Sequence, residues 1–252
     1  MTASGKERVS RYWTRWAPDY EAHQARRSAA QAERQAWKGV WAPALPAPPA
    51  SVLDLGTGSG HAAFTLADMG YQVTGVDAAE GMIEQARRKA RSHVSGTGPN
   101  PAFVHSDASD PQWTPGSFDA LTARYFLWTL PSPLRSLSRW LRLLRPGGRL
   151  VVVDSIWFPR GLSSEISAVG SAPSRSRDFA RAYSGQSALF PLAEASSIQD
   201  FADSITRAGF TDVTVDSLPE ILERDARHGV APGHRPQLQY RVSARRPAGV
   251  TP

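Results

Sequence analysis

Val52-Leu53-Asp54-Leu55-Gly56-Thr57-Gly58-Ser59-Gly60 is the stretch on which the fold of this chain turns. A short apolar run enters an acid, three glycines alternate, and a helix-like segment follows from His61 to Met69. Seventeen residues beyond Gly60, the run Val73-Thr74-Gly75-Val76 ends on a second acid, Asp77. Glycines let backbone approach a ligand, and an acid at the end of the next strand can take both hydroxyls of a ribose. The pattern predicts a nucleotide-cofactor site on an open parallel sheet. The rival reading is a nicotinamide dinucleotide. Its usual fingerprint is Gly-x-Gly-x-x-Gly without a preceding acid, whereas this loop is Gly-x-Gly-x-Gly behind Asp54.

Outward from the loop the chain alternates strand and helix. Strands are predicted at 51–55, 72–77, 101–105, 118–125 and 148–154, with helices at 61–69, 79–91 and 133–144. In the last of these Leu134, Leu137, Trp140, Leu141 and Leu144 recur at helical spacing. Repeated βα units imply a parallel sheet covered on both faces. The rhythm breaks over Ser155–Ser196, a stretch rich in Ser, Ala, Arg and Gly, and so long an insertion is usually functional or disordered. It resumes with a helix at 197–208, a short strand at 213–215 and a final strand at 237–244. Ahead of the core, residues 10–41 read as helical, broken by Pro18 into a short and a longer helix. Their aromatics (Tyr12, Trp13, Trp16, Tyr20, Trp37, Trp41) serve either as packing against the body or as a cap over the cofactor. Residues 43–49 form a stiff Pro-rich linker.

The 252 residues have 41% hydrophobic and 21% charged content, ordinary for a globular protein. No apolar run reaches membrane-spanning length, the first eleven residues lack a signal-peptide core, and cysteine is absent. The expectation is a cytoplasmic protein without disulfides, thiolate metal sites or membrane contact. The net charge of +6 could indicate nucleic acid, but residues 1–50 hold eight cations against four acids, while the rest is near balance. The Arg87–Arg91 cluster sits at a helix end, where cations complement the dipole. Nucleic acid is therefore not the expected partner, no metal is expected, and the oligomeric state is not legible.

Five landmarks stand in order: Asp54–Gly60, Val76-Asp77, His105-Ser106-Asp107-Ala108, Phe118-Asp119-Ala120-Leu121 and Leu144-Arg145-Pro146-Gly147-Gly148-Arg149-Leu150. With these, the chain resembles the class I S-adenosylmethionine-dependent methyltransferases, well over 12–154 and loosely beyond. Arg145-Pro146-Gly147-Gly148 before a buried strand and the tail Ala208-Gly209-Phe210-Thr211-Asp212-Val213 mark that family. The resemblance implies a Rossmann-like α/β fold: a seven-stranded, mostly parallel sheet with an antiparallel last strand and helices on both faces. It is expected as one domain over 1–252, with a helical cap (10–41), a cofactor-binding core (51–154), a lid-like insertion (155–196) and C-terminal sheet completion (197–246).

It also implies a cofactor site. Gly56, Thr57 and Gly58 would admit the methionine end of S-adenosylmethionine, with Asp54 facing its amino group and the Arg124 carbonyl also meeting it. Asp77, with Ala78, would lie at the ribose. Asp107 and the Ala108 N–H would lie at the adenine, with Met82 packed on its face or merely in the core. Tyr20 would approach from the cap. As a strand-end acid, Asp77 is expected to carry little packing. Ala123-Arg124-Tyr125 followed by Leu127-Trp128-Thr129-Leu130 looks like the small-molecule branch, which has an Asn-Arg-His-like triplet here. The Asn-Pro-Pro-Tyr-like box of DNA and glutamine methyltransferases is absent. With Tyr125 in place of His, a general base is in doubt; Tyr125, His23 and Asp154 are the candidates. Tyr12, Trp128, Trp157 and Tyr183 would line a pocket for a small-molecule methyl acceptor. Twenty-six Arg against three Lys points to a GC-rich coding sequence, which fits bacterial specialised metabolism. The alternatives are a cofactor-binding protein of the same fold that binds or cyclises a product, and an RNA or protein methyltransferase.

Overall fold

A computed structural model describes residues 3–93, 98–167, 174–185, 189–230 and 235–249. Part of the 155–196 insertion therefore lies outside the described residues. Strands β1 (Ser51–Leu55), β2 (Gln72–Asp77), β3 (Ala102–His105), β4 (Phe118–Arg124) and β5 (Leu144–Ser155) are parallel, and β6 (Thr211–Leu218) and β7 (Gln239–Arg245) complete one seven-stranded sheet. The order is β3-β2-β1-β4-β5-β7-β6, with β7 antiparallel to both neighbours. Helices α3 (His61–Ala67), α4 (Glu80–Ala90) and α5 (Pro133–Leu143) are the crossovers.

Alternation along the central strands sorts side chains onto two buried faces. Leu53, Leu55, Leu121, Leu150 and Val152 pack with Trp140 of α5 and with Phe201 and Ile205 of α8 (Gln199–Arg207). Val52, Ala120, Val151 and Val153 pack on the opposite face with Phe64, Trp37 and Trp41 of α2 (Gln31–Trp41), and Ile221 of α9 (Pro219–His228). Two family landmarks prove to be structural. Asp119 accepts from the Ser51 N–H at 2.8 Å and from the Arg145 guanidinium, tying β4 to β1 and to the turn before β5. Both contacts lie at the N-terminal ends of the strands, away from the end at which open α/β sheets bind ligands.

The structure changes three expectations. Helix α1 runs unbroken from Ala3 to Ser28 through Pro18, and the chain breaks only at Ala29-Ala30. Proline leaves the Thr14 carbonyl without its helical donor. That turn instead meets the start of α4: Gly81 donates its N–H to Thr14 Oγ1 at 3.3 Å, and a Cβ on Gly81 would fall 2.6 Å from the Thr14 oxygen. The 155–196 insertion is not irregular throughout; it carries α6 (Leu162–Ser167) and α7 (Ser174–Tyr183). Helix α9 was not anticipated, although Pro219 at its first turn, Arg227 and His228 at its last and Gly229 beyond are ordinary end signals.

Candidate cofactor and acceptor cleft

The sheet order places β1 and β4 side by side with their crossovers leaving in opposite directions, so a crevice opens at their C-terminal ends. There the chain forms a cleft of about 1200 Å³, lined by the glycine loop, the ends of β2 and β4, and residues of α1, α7 and α9. That volume exceeds the few hundred to roughly 1,000 Å³ of a typical single-ligand pocket, and leaves room for a cofactor and a second molecule.

The loop is held by its own acids. Buried Asp54 accepts from Thr57 Oγ1 at 2.6 Å and Thr122 Oγ1 at 2.7 Å. Burial pushes its carboxyl up to about 6 despite those donors. Asp77 accepts the Gly58 N–H at 2.9 Å and the Ala79 N–H at 2.8 Å, so it braces both the loop and the start of α4. Burial, opposed by these bonds, raises its pKa as well. The expectation that Asp77 carries little structure is therefore corrected. Gly56 and Gly58, both at positive φ, differ in kind. A Cβ on Gly56 would lie 2.4 Å from the Phe126 ring, whereas Gly58 has only Met82 Sδ at 4.0 Å. Gly58 is the open approach to the cleft; Gly56 makes room for Phe126.

At the far end Asp107 faces Lys6 of α1 at 2.7 Å and Ser109 Oγ at 2.6 Å. Burial opposes them, but these partners hold its carboxyl below the usual range. Ala108 and Met82 line the cleft and are buried, Met82 against Ala17 and Ala79 with Trp13 and Tyr20 alongside. Ala78 accepts Ser10 Oγ from α1 at 2.7 Å. Near the glycine loop, the Arg124 guanidinium lies 4.3 Å from the Trp37 ring centre and 4.0 Å from that of Tyr125, with its Nε unpartnered.

Of the three base candidates, Asp154 leaves the set. It does not line the cleft, and its carboxylate accepts the N–H groups of Leu127 and Ser155 and the indole of Trp157. Burial, against those donors, pushes it up to about 7. It fixes the β4 and β5 loops. Tyr125 lines the cleft in a left-handed conformation (φ 59°), and its hydroxyl donates to Gln239. Burial raises its pKa far above the ordinary phenol value, so it stays protonated. His23 lines the cleft, and burial followed by the charges of Arg27 and Arg26 lowers its pKa, leaving a neutral imidazole at pH 7.

Tyr12, Trp128 and Trp157 line the cleft, as does Tyr20. Tyr183 does not. It is fully buried behind Phe179, ring centres 4.5 Å apart, and its hydroxyl accepts the Trp13 indole. The 155–196 insertion supplies Phe158, Phe179 and Phe190 instead. Cleft residues that the sequence did not single out include Arg175 and three that act together, Asp225, Gln239 and Arg27. The last three form one chain: Gln239 Nε2 donates to Asp225 at 2.8 Å, and Asp225 accepts from Arg27. No local spacing could reveal them, because α1, α9 and β7 meet only in the fold.

Fold and cleft together define a doubly wound α/β protein with a glycine-loop cleft beside helix α1. The family model described as "Methyltransferase domain" matches residues 53–152. A demethylmenaquinone methyltransferase from Beutenbergia cavernae is 38% identical over 119 residues, covering 47% of this chain and 46% of the relative. The aklanonic acid methyltransferase DauC from Streptomyces sp. strain C5 is 34% identical over 109 residues, 42% of this chain and 48% of that protein. The chain thus spans about half the length of the curated relatives it matches. A Haemonchus contortus phosphoethanolamine N-methyltransferase, solved with S-adenosylhomocysteine, superposes with a TM-score of 0.58 at 18% identity, over 84% of this chain and 52% of that one. Over residues 53–152 the chain thus matches a methyltransferase domain, and its fold is the one the solved methyltransferase shares.

Proposed function

We propose that the protein transfers the methyl group of S-adenosylmethionine to a small-molecule acceptor, in the cytoplasm of a bacterium and in specialised metabolism. The observation that carries this reading is one continuous cleft with an acid-braced glycine loop at one end and an aromatic chamber at the other. Named natural-product and quinone methyltransferases among the relatives support the acceptor class. Calorimetric titration tests the cofactor half: S-adenosylhomocysteine binds and NAD does not. Product mass spectrometry with methyl-labelled cofactor tests the transfer. Tight NAD binding with no response to either sulfur compound would sink the proposal.

The donor set suits the cofactor. Asp54 would face its ammonium and the Arg124 guanidinium its carboxylate, Asp77 the ribose, and Asp107 with the Ala108 N–H the adenine against Met82. Bound there, S-adenosylmethionine supplies an electrophilic methyl on a sulfonium, which leaves as a neutral thioether. The chain's own work is to hold the acceptor in line with that methyl and exclude water, and proximity alone can supply several kcal/mol. Tyr12, Tyr20 and Trp128 offer ring faces to the cation. Where the acceptor arrives protonated, neutral His23 is the group able to take the proton.

Two predictions follow from these assignments. A carboxyl raised to about 6 from 3.8 is neutral in the folded protein over that interval. It stabilises the fold fully below pH 3.8, and that contribution is lost as pH rises through about 6. Binding an ammonium needs the opposite, ionised form. Affinity for S-adenosylhomocysteine should therefore fall below pH 6, approaching tenfold per pH unit, and the slope should vanish in Asp54→Asn. A flat wild-type profile between pH 4.5 and 7 would remove Asp54 from the ammonium site.

A phenol held protonated and donating to Gln239 cannot serve as a base. Tyr125→Phe should lower kcat by less than about 100-fold, below the full range of a positioned base, with cofactor affinity kept. A larger loss, together with disappearance of one limb of the pH–rate profile, would restore Tyr125 as the base.

A further inference from the structure

We infer that the acceptor carries a carboxylate on a flat aromatic or conjugated body, and that Arg175 of the lid helix α7 is the residue that anchors it. This rests on the methyltransferase reading above and names its substrate class.

Arg175 lines the cleft yet is only 6% exposed. Its Nε donates to Tyr12 Oη at 3.4 Å, and its Nη1 and Nη2 are sealed from solvent without a hydrogen-bond partner. No carboxylate among the described residues forms an ion pair with it. The nearby acids are engaged elsewhere: Asp178 with Arg15 and Arg181, Glu165 with Arg160, Asp225 with Arg27, and Asp107 with Lys6. Among the described residues its remaining company is the Trp16 ring, 5.8 Å away at the limit of a cation–π contact, and the charge of Asp178, which like that of Arg175 acts on Tyr12 but pairs with Arg15 and Arg181. A buried charge with two free donors is costly unless an anion completes it. A guanidinium edge fits a planar carboxylate through two parallel hydrogen bonds.

The surroundings set the rest of the ligand. Beside Arg175 stand Tyr12 and Phe179, ring centres 5.7 Å apart, with Phe158 stacked on Phe179 at 6.1 Å and Trp128 against Phe158 at 5.2 Å. These faces suit a flat ring system. His23 borders the same chamber, and the Arg175 charge is among those that lower its pKa. A carboxylate held by a guanidinium is a weakened nucleophile, so it is the anchor and the methylated atom lies elsewhere on the acceptor. The Arg124 guanidinium sits near the glycine loop and is left for the cofactor.

The test uses the full chain saturated with S-adenosylhomocysteine and titrated with 2-naphthoate and with its neutral analogue 2-naphthol. The expected result is at least tenfold tighter binding of 2-naphthoate. Arg175→Gln should erase that preference while changing S-adenosylhomocysteine affinity less than twofold, and Arg175→Lys should keep part of it. The wild-type comparison stands even if a variant fails to fold. Absent 2-naphthoate binding, equal binding of the two probes, an intact preference in Arg175→Gln, or loss of cofactor affinity in that variant would each overturn the inference. Failure of S-adenosylhomocysteine itself to bind would instead bring down the underlying function, and the acceptor assignment with it.

Discussion

Asp77→Ala should weaken S-adenosylhomocysteine binding by about 2–3 kcal/mol, the scale of a hydrogen bond to a charged group, or roughly 30–150-fold. It should also lower stability. The carboxylate has two tasks in the structure: it would meet the ribose, and it accepts the Gly58 and Ala79 N–H groups. Removing it leaves two backbone donors unmet where the glycine loop faces α4. An orphaned buried donor costs about 1–3 kcal/mol, which urea denaturation can read. Calorimetry on the folded variant separates the two effects. Unchanged cofactor affinity would show that the ribose is held elsewhere, and unchanged stability would show that the loop does not depend on Asp77.

Gly56→Ala is expected to be the most disruptive single-methyl change in the cleft. The residue sits at φ 66°, and the new Cβ would fall 2.4 Å from the Phe126 ring. A left-handed non-glycine costs about 1–2 kcal/mol. Forcing Phe126 aside adds about 1–3 kcal/mol, because that ring stacks on buried Trp140 at 6.2 Å and has little freedom to move. A loss of about 2–5 kcal/mol in urea denaturation follows by combining the two. Gly58→Ala is the control. Its φ of 56° carries the same backbone cost, but only Met82 Sδ lies within 4.0 Å, so it should lose about 1–2 kcal/mol. Equal losses would mean that conformation, not the Phe126 contact, dictates Gly56.

From the sequence, Gly56 and Gly58 look alike, both glycines that admit a ligand. Only the returning β4 loop distinguishes them, by laying Phe126 on the first. The same limit explains the base candidates. Asp154 at a strand end reads like Asp77 at a strand end, yet Leu127, Ser155 and Trp157 surround the former. Tyr183 reads as one more aromatic of the insertion, yet Phe179 stands between it and the cleft wall. Pro18 reads as a helix break, but α4 packs against the turn it disturbs.

Legible along the chain were the alternation of strands and helices, the place of the glycine loop and the acids at or just beyond the ends of β1, β2 and β3. These depend on contacts within one strand, one turn or one helix, so their signal is periodic and local. Tertiary structure decided which side chains face the cleft, and in what state. Tyr125 finds its acceptor in Gln239, 114 residues away, and Arg27 finds Asp225 across 198. Arg175 is one arginine among twenty-six until α7 folds over α1 and seals its guanidinium without a counter-ion. Burial, charge balance and an unmet donor belong to the packed molecule, since each depends on every neighbour that excludes water from the group. No spacing along the chain encodes them.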